Sequence, residues 1–63
     1  MNASVAGPSP RGRILIVDDE LVVRDSLGRW FAGEAYEVGL AASGREALAA
    51  VQEKHYDLAL LDI

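Results

Sequence analysis

Three aspartates stand at the ends of the two most apolar runs of the sequence. Asp18 and Asp19 come directly after the run 14–17 (ILIV), and Asp62 comes directly after the run 58–61 (LALL). If these runs are neighbouring parallel strands, their carboxyl ends lie about 4.8 Å apart at one edge of a sheet. The three carboxylates would then share one small pocket. Because ionised carboxylates repel one another, such a pocket requires a cation.

This pocket predicts a specific chemistry. Carboxylate oxygens are hard ligands of the kind that Mg²⁺ or Mn²⁺ prefers. A carboxylate beside such an ion can attack phosphorus and form an aspartyl phosphate, which adds about −1.5 to −2 of charge. Two simpler interpretations stay open at this stage. Asp19 and Glu20 would also suit a helix N-terminus, and Asp62 alone could be an ordinary loop residue.

The first half of the sequence predicts a strand followed by a helix. The run 14–17 is fully apolar and mostly β-branched, which is typical of a strand that is buried on both faces. The apolar residues that follow have the spacing of a helix, and Gly33 predicts the C-terminal end of that helix. The apolar residues of this helix fall on one predicted face, namely Val23, Leu27, Trp30 and Phe31.

The second half repeats the alternation. Residues 36–41 predict a half-buried strand, and Ser43 to Glu46 match the capping box S-x-x-E at the start of a second helix. The run 58–61 predicts a third strand. The order strand, helix, strand, helix, strand implies parallel strands joined by right-handed crossovers, which is an α/β fold.

Composition excludes several other classes. Six basic against ten acidic side chains give a net charge of −4, which argues against a nucleic-acid surface. The chain has no cysteine, so disulfides and cysteine-based zinc sites are excluded. No apolar run approaches the length of a membrane span, and the N-terminus does not resemble a signal peptide, so we expect a cytoplasmic protein without membrane contact. Residues 1–12 contain both prolines and predict a flexible tail before a domain at 13–63.

Four segments in register resemble the receiver domain of two-component response regulators. They are ILIVDDE at 14–20, RDSL at 24–27, YEVGLAASGREAL at 36–48 and YDLALLDI at 56–63. The resemblance covers the N-terminal half of that domain. It implies the first three strands and two helices of a flavodoxin-like doubly wound parallel sheet, with strand order 2-1-3.

The resemblance also implies roles for the three aspartates. Asp62 matches the phosphoacceptor, Asp19 matches the acid that binds Mg²⁺ directly, and Asp18 matches a neighbour that reaches the ion through water. The predicted metal residues are therefore Asp18, Asp19 and Asp62. The implied phosphodonor is a sensor histidine kinase. We expect a phosphoacceptor rather than an enzyme, and no nucleic-acid contact from this segment.

The chain also departs from the family pattern, because it ends one residue after Asp62. The family's later metal-binding carbonyl, hydroxyl residue, lysine and aromatic switch residue are not among these 63 residues. An alternative is therefore a truncated or decayed receiver without phosphotransfer. We expect this chain alone to be unstable or to self-associate through its exposed half-sheet.

Two further classes are disfavoured. Phosphatases that use an aspartyl phosphate tend to carry two aspartates with one residue between them after the first strand, whereas Asp18 and Asp19 are adjacent. A dinucleotide-binding half-domain would need glycine in the loop that follows the first strand, and residues 18–21 contain none.

Overall fold

The computed structural model describes residues 11–62, which form five elements in the predicted order. They are β1 (Arg13–Asp18), α1 (Leu21–Gly33), β2 (Glu37–Ala41), α2 (Gly44–Glu53) and β3 (Leu58–Asp62). Residues 1–10 of the predicted tail lie outside the described residues, and residues 11 and 12 lie within them. The Arg11 amide donates to the Ala35 carbonyl in the turn before β2 at 2.8 Å, and the Glu37 amide at the start of β2 donates to the Gly12 carbonyl at 2.9 Å.

The strands form one parallel sheet in the order β2-β1-β3, which confirms the predicted topology. In the register, Ile14 of β1 lies between Val38 of β2 and Leu58 of β3. The same register places Asp18 at the end of β1 beside Asp62 at the end of β3. The central position of β1 buries all of its apolar run.

The two helices cover opposite faces of the sheet. On one face, Ala47 and Ala50 of α2 pack with Tyr56 against a core of three buried residues, Leu15, Val17 and Ala41. On the other face, Gly28 of α1 lies against β2, where an added Cβ would be 3.2 Å from Leu40 Cδ2. Glycine therefore lets this helix approach the strand closely. The arrangement is the doubly wound, flavodoxin-like one that the sequence predicts.

The turn after α1 differs in detail from the prediction. Gly33 is the last helical residue, but the left-handed residue is Ala35, with φ 72°. The Ala35 amide donates to the Ala32 carbonyl and the Tyr36 amide donates to the Phe31 carbonyl, both at 3.1 Å. This is the Schellman pattern of hydrogen bonds, with an alanine at the position that glycine usually occupies.

The apolar face of α1 is narrower than its spacing predicted. Trp30 is 61% exposed, so it does not belong to the core. Its ring stacks edge-to-face on Phe31, with centroids 4.9 Å apart, and Phe31 is in turn 5.8 Å from the Tyr36 ring. The only fully buried residue of this helix is Gly28.

The predicted capping box at the start of α2 is present in modified form. The Glu46 amide donates to Ser43 Oγ at 3.2 Å, as expected for an N-cap serine. The Glu46 carboxylate accepts from the Ala42 amide at 2.8 Å, one residue before its usual partner. Within the part of the chain that the structure describes, no helix is long and apolar enough to cross a membrane.

Candidate functional site at the carboxyl edge of the sheet

The carboxyl edge of the sheet brings together the ends of β1 and β3. The two strands are adjacent, as the sequence predicted, and their register pairs Asp18 with Asp62. Their surroundings differ, because Asp18 is only 3% exposed whereas Asp62 is open to solvent. Asp18 is thus buried at the edge of the sheet, and Asp62 is accessible to a reactant.

The segment between β1 and α1 is held at both of its ends. Asp18 Oδ1 accepts a hydrogen bond from the Glu20 amide at 2.8 Å, which satisfies the buried carboxylate and closes a short turn. Arg24 Nη1 donates to the Asp18 carbonyl at 2.9 Å. The Arg24 amide donates to the Glu20 carbonyl at 3.0 Å. These bonds fix the backbone on both sides of Asp19.

Asp19 is exposed at the centre of this segment. Among residues 11–62, its carboxylate takes part in no hydrogen bond or ion pair, and it caps no amide of α1. Glu20 occupies the N-cap position, also without a side-chain cap bond. Both acids lie at the N-terminus of α1, where the helix dipole favours negative charge, so the simpler interpretation stays open beside the metal assignment.

The carboxylate oxygens at this edge suit a hard cation, but the side chains do not supply a full set of metal ligands. No three His, Cys, Asp or Glu side chains within residues 11–62 are grouped so that they could hold a metal ion by themselves. Mg²⁺ commonly binds through one or two carboxylates and keeps several waters. Asp19 and Asp62, both exposed, are suited to that mode, and the assignment of Asp18, Asp19 and Asp62 to a metal stays a prediction.

A second polar cluster lies at the opposite, amino edge of the sheet, where β3 begins. The Arg13 amide donates to Asp57 Oδ2 and the Asp57 amide donates to the Arg13 carbonyl, both at 2.8 Å. The first of these bonds holds the pKa of Asp57 below its usual range, and His55, whose Nε2 is 3.2 Å from Asp57 Oδ1, acts in the same direction. This cluster anchors the start of β3 to β1.

Arg13 also binds the start of β2. Its Nη2 donates to Glu37 Oε1 at 3.3 Å, and its Nε lies 3.1 Å from Oε2. These contacts lower the pKa of Glu37, with a smaller contribution from Lys54 at 3.6 Å. A shallow cleft of about 250 Å³ lies among these residues, well away from the three aspartates. We assign the cluster a structural role in joining the three strands.

Sequence reasoning missed two of these residues. It gave neither Arg24 nor Asp57 a role at the site or in the fold. A signal for Arg24 was available, because side chains in the first turn of a helix point back towards its N-terminus, here the end of β1. Nothing local distinguishes Asp57, since its partner Arg13 is distant in sequence.

The comparisons with known proteins agree with this geometry. The family model of the response regulator receiver domain matches residues 14–63, so the chain belongs to that family, which serves two-component systems. It is 45% identical over 51 residues to response regulator MprA of Mycolicibacterium vanbaalenii, covering 81% of this chain and 22% of that protein.

Two other relatives give the same result. Transcriptional regulatory protein ZraR of Salmonella typhimurium is 46% identical over 55 residues, covering 84% of this chain and 12% of that protein. DNA-binding response regulator MtrA of Mycobacterium tuberculosis is 40% identical over 53 residues, covering 84% and 23%. The chain thus spans less than a quarter of the length of each of these curated relatives. No solved structure matches it.

Proposed function

We propose that the protein is a receiver in a phosphorelay and that Asp62 accepts the phosphoryl group from a phosphohistidine of a sensor histidine kinase. The observation that carries this proposal is the register of β1 and β3. It brings an exposed aspartate beside a buried one, next to a third whose carboxylate is unengaged within residues 11–62. Membership of the receiver family supports the same assignment.

The proposed step is a simple displacement at phosphorus. An oxygen of the Asp62 carboxylate forms a bond to phosphorus while the P–N bond to the donor imidazole breaks. The electron pair of that bond goes to the imidazole nitrogen, which takes a proton from solvent. The exposure of Asp62 suits this step because the donor histidine must reach it from another molecule. We accordingly propose a phosphoacceptor role.

Asp19 and Asp62 would hold Mg²⁺, with Asp18 contributing through a water molecule. The bound ion would neutralise charge on the phosphoryl oxygens. The turn closed by the Asp18 carboxylate fixes the backbone on either side of Asp19, and the register of β3 places Asp62 beside Asp18. The product adds about −1.5 to −2 of charge at this edge, which can shift a conformational equilibrium.

Labelling of the full-length gene product with a small phosphodonor such as acetyl phosphate tests this function. We expect a mass increase of one phosphoryl group that hydroxylamine removes and that EDTA prevents. Asp62→Asn should abolish the increase, and Asp19→Asn should weaken it through lost metal binding. Asp25→Asn is a matched control, because Asp25 belongs to an ion pair on α1 away from the edge, and it should label normally.

The result also separates the two alternatives. Unchanged, Mg²⁺-dependent labelling of Asp62→Asn would refute the assignment of the phosphoacceptor. No labelling of the wild-type protein, by either acetyl phosphate or a phosphorylated kinase, would favour a receiver that has lost phosphotransfer.

A further inference from the structure

The Arg24 side chain contacts the backbone at the carboxyl edge of the sheet. It lies at the end of the first turn of α1, and its side chain is half-buried. Its Nη1 donates to the Asp18 carbonyl at 2.9 Å, across the loop that joins β1 to the helix. The carbonyl belongs to the residue immediately before Asp19, so the contact acts on the backbone that carries the Asp19 carboxylate.

Three hydrogen bonds act together on this loop. The Asp18 carboxylate receives the Glu20 amide, the Asp18 carbonyl receives the Arg24 guanidinium, and the Glu20 carbonyl receives the Arg24 amide. The bonds hold the backbone of Glu20 and neither side chain of the loop, so the Asp19 carboxylate is left free of all three. The loop is therefore built to fix the backbone of Asp19 while its carboxylate stays available.

We propose that Arg24 is a positioning residue, which orients the Asp19 carboxylate for a divalent cation by holding the Asp18 carbonyl. The inference rests on the proposed function for the identity of the ligand. Outer partners that orient metal ligands commonly account for 10- to 100-fold in metal affinity. Arg24 would act in this way through the main chain rather than through the carboxylate itself.

The positive charge of Arg24 has the opposite effect on a bound cation. A guanidinium beside the site repels a divalent ion, so removal of the charge alone should tighten binding. Positioning and repulsion therefore predict changes of opposite sign when Arg24 is replaced by methionine, which resembles it in length but has neither charge nor donor. This difference in sign makes the inference testable by a binding measurement.

The experiment titrates the full-length protein with Mn²⁺ and follows the free ion by electron paramagnetic resonance. For Arg24→Met we expect the Kd for Mn²⁺ to rise about tenfold. Arg24→Lys, which keeps the charge and one donor, should give an intermediate value. Arg29→Met is the matched control: Arg29 is 81% exposed and pairs with Asp25 at 3.1 Å, so its Kd should stay within about twofold of the wild type.

Hydrogen exchange of the Glu20 amide supplies a readout that needs no metal. In Arg24→Met, exchange at Glu20 should accelerate while exchange at Ile16, in the centre of β1, stays unchanged. Acceleration at both sites would mean a general loss of structure. The same exchange measurement on Arg24→Lys, which keeps the charge, would then decide the inference: faster exchange at Glu20 alone would support it, and wild-type exchange at Glu20 would overturn it. A Kd for Arg24→Met that is unchanged or lower, or Glu20 exchange equal to that of the wild type, would overturn the inference.

The same titration separates this inference from the function on which it rests. Mn²⁺ that binds the wild type no more tightly than it binds Asp19→Asn would contradict the proposed metal site. In that case, the Glu20 exchange rate alone decides whether Arg24 holds the loop. Tight wild-type binding with no effect of Arg24→Met would overturn the inference and leave the proposed function intact.

Discussion

The strands β1 and β3 have nearly the same kind of sequence and opposite environments. Both consist of an apolar run that ends in aspartate, ILIVD and LALLD. In β1 the apolar residues are at most 2% exposed, whereas Leu58 and Leu61 of β3 are 53% and 68% exposed. An apolar run therefore indicates a strand, but the neighbours of that strand decide whether it is buried.

The difference has a clear structural cause. β1 is hydrogen-bonded on both sides and is covered by α1 on one face and α2 on the other. Within residues 11–62, β3 is bonded on one side only, and no Cα atom of either helix lies within 8 Å of a Cα atom of β3. It keeps its place through the ladder to β1 and through the polar anchor at Asp57. The stability of the described fold should accordingly depend on β1 far more than on the side chains of β3.

Truncation of a leucine to alanine should lower the free energy of unfolding far more in β1 than in β3. Leu15→Ala removes a side chain that is 1% exposed and should lower the free energy of unfolding by about 2–5 kcal/mol. Leu61→Ala, at 68% exposure, should change it by no more than about 0.5 kcal/mol. Urea denaturation followed by circular dichroism measures both. Equal losses would show that β3 is covered in solution.

The turn that joins α1 to β2 offers a stabilising change. Ala35 has φ 72°, a conformation that costs a non-glycine residue about 1–2 kcal/mol. Ala35→Gly relieves this cost but makes the unfolded chain more flexible, so we expect a net gain of about 0.5–1 kcal/mol in thermal or urea unfolding. Ala32→Gly, inside the helix, is the matched control and should lose about 1 kcal/mol. A loss at both positions would contradict the left-handed turn.

Charged residues on β3 test whether its exposed surface makes the chain associate. Lysine is tolerated on exposed edge strands and opposes edge-to-edge pairing. We expect Leu58→Lys with Leu61→Lys to reduce the sedimentation coefficient of the 63-residue chain towards that of a monomer. The free energy of unfolding of the monomer should change by no more than about 1 kcal/mol for the two substitutions together. Gln52→Lys, on the exposed surface of α2, should leave association as it is.

The smallest effect concerns the anchor that joins β3 to β1. Hydrogen bonding from the Arg13 amide lowers the pKa of Asp57 in the folded chain. A lowered pKa stabilises the fold above the unfolded pKa, and this contribution is lost as the pH falls through the folded pKa. Asp57→Asn should therefore be less stable than the wild type at pH 7, and the difference should shrink on acidification below about pH 4.

Urea unfolding across that pH range measures the difference, and Glu53→Gln serves as an exposed control on α2. A difference between Asp57→Asn and the wild type that is independent of pH would mean that the charge of Asp57 does not contribute to the anchor.

Much of the fold could be predicted from the sequence because its signals are local. Periodicity located the elements, Ser43 and Glu46 marked the start of α2, and alternation of strands and helices implied the parallel order. The exposure of Trp30 could not be predicted, because helical spacing defines a stripe but not the width that the sheet covers. The left-handed Ala35 was also missed, since glycine is the usual signal for that conformation.

The candidate site was predicted less completely. Strand ends and sheet order predicted that the carboxyl ends of β1 and β3 meet at one edge, and the register confirms this, whereas the pocket of three aspartates stays a prediction. The bond from Arg24 to the Asp18 carbonyl involves a main-chain acceptor, which leaves no mark on residue types. The anchor at Asp57 depends on a partner 44 positions away, and such contacts appear only once the sheet is assembled.

We predict that Asp62, the exposed aspartate on β3, carries the phosphoryl group, and that neither Asp18 nor Asp19 does. Reduction of the phosphorylated full-length protein with borohydride converts an aspartyl phosphate to homoserine, which peptide mass spectrometry can locate. We predict homoserine at residue 62 and unchanged aspartate at residues 18 and 19. Homoserine at residue 18 or 19, with aspartate intact at 62, would contradict the assignment of Asp62 as the phosphoacceptor.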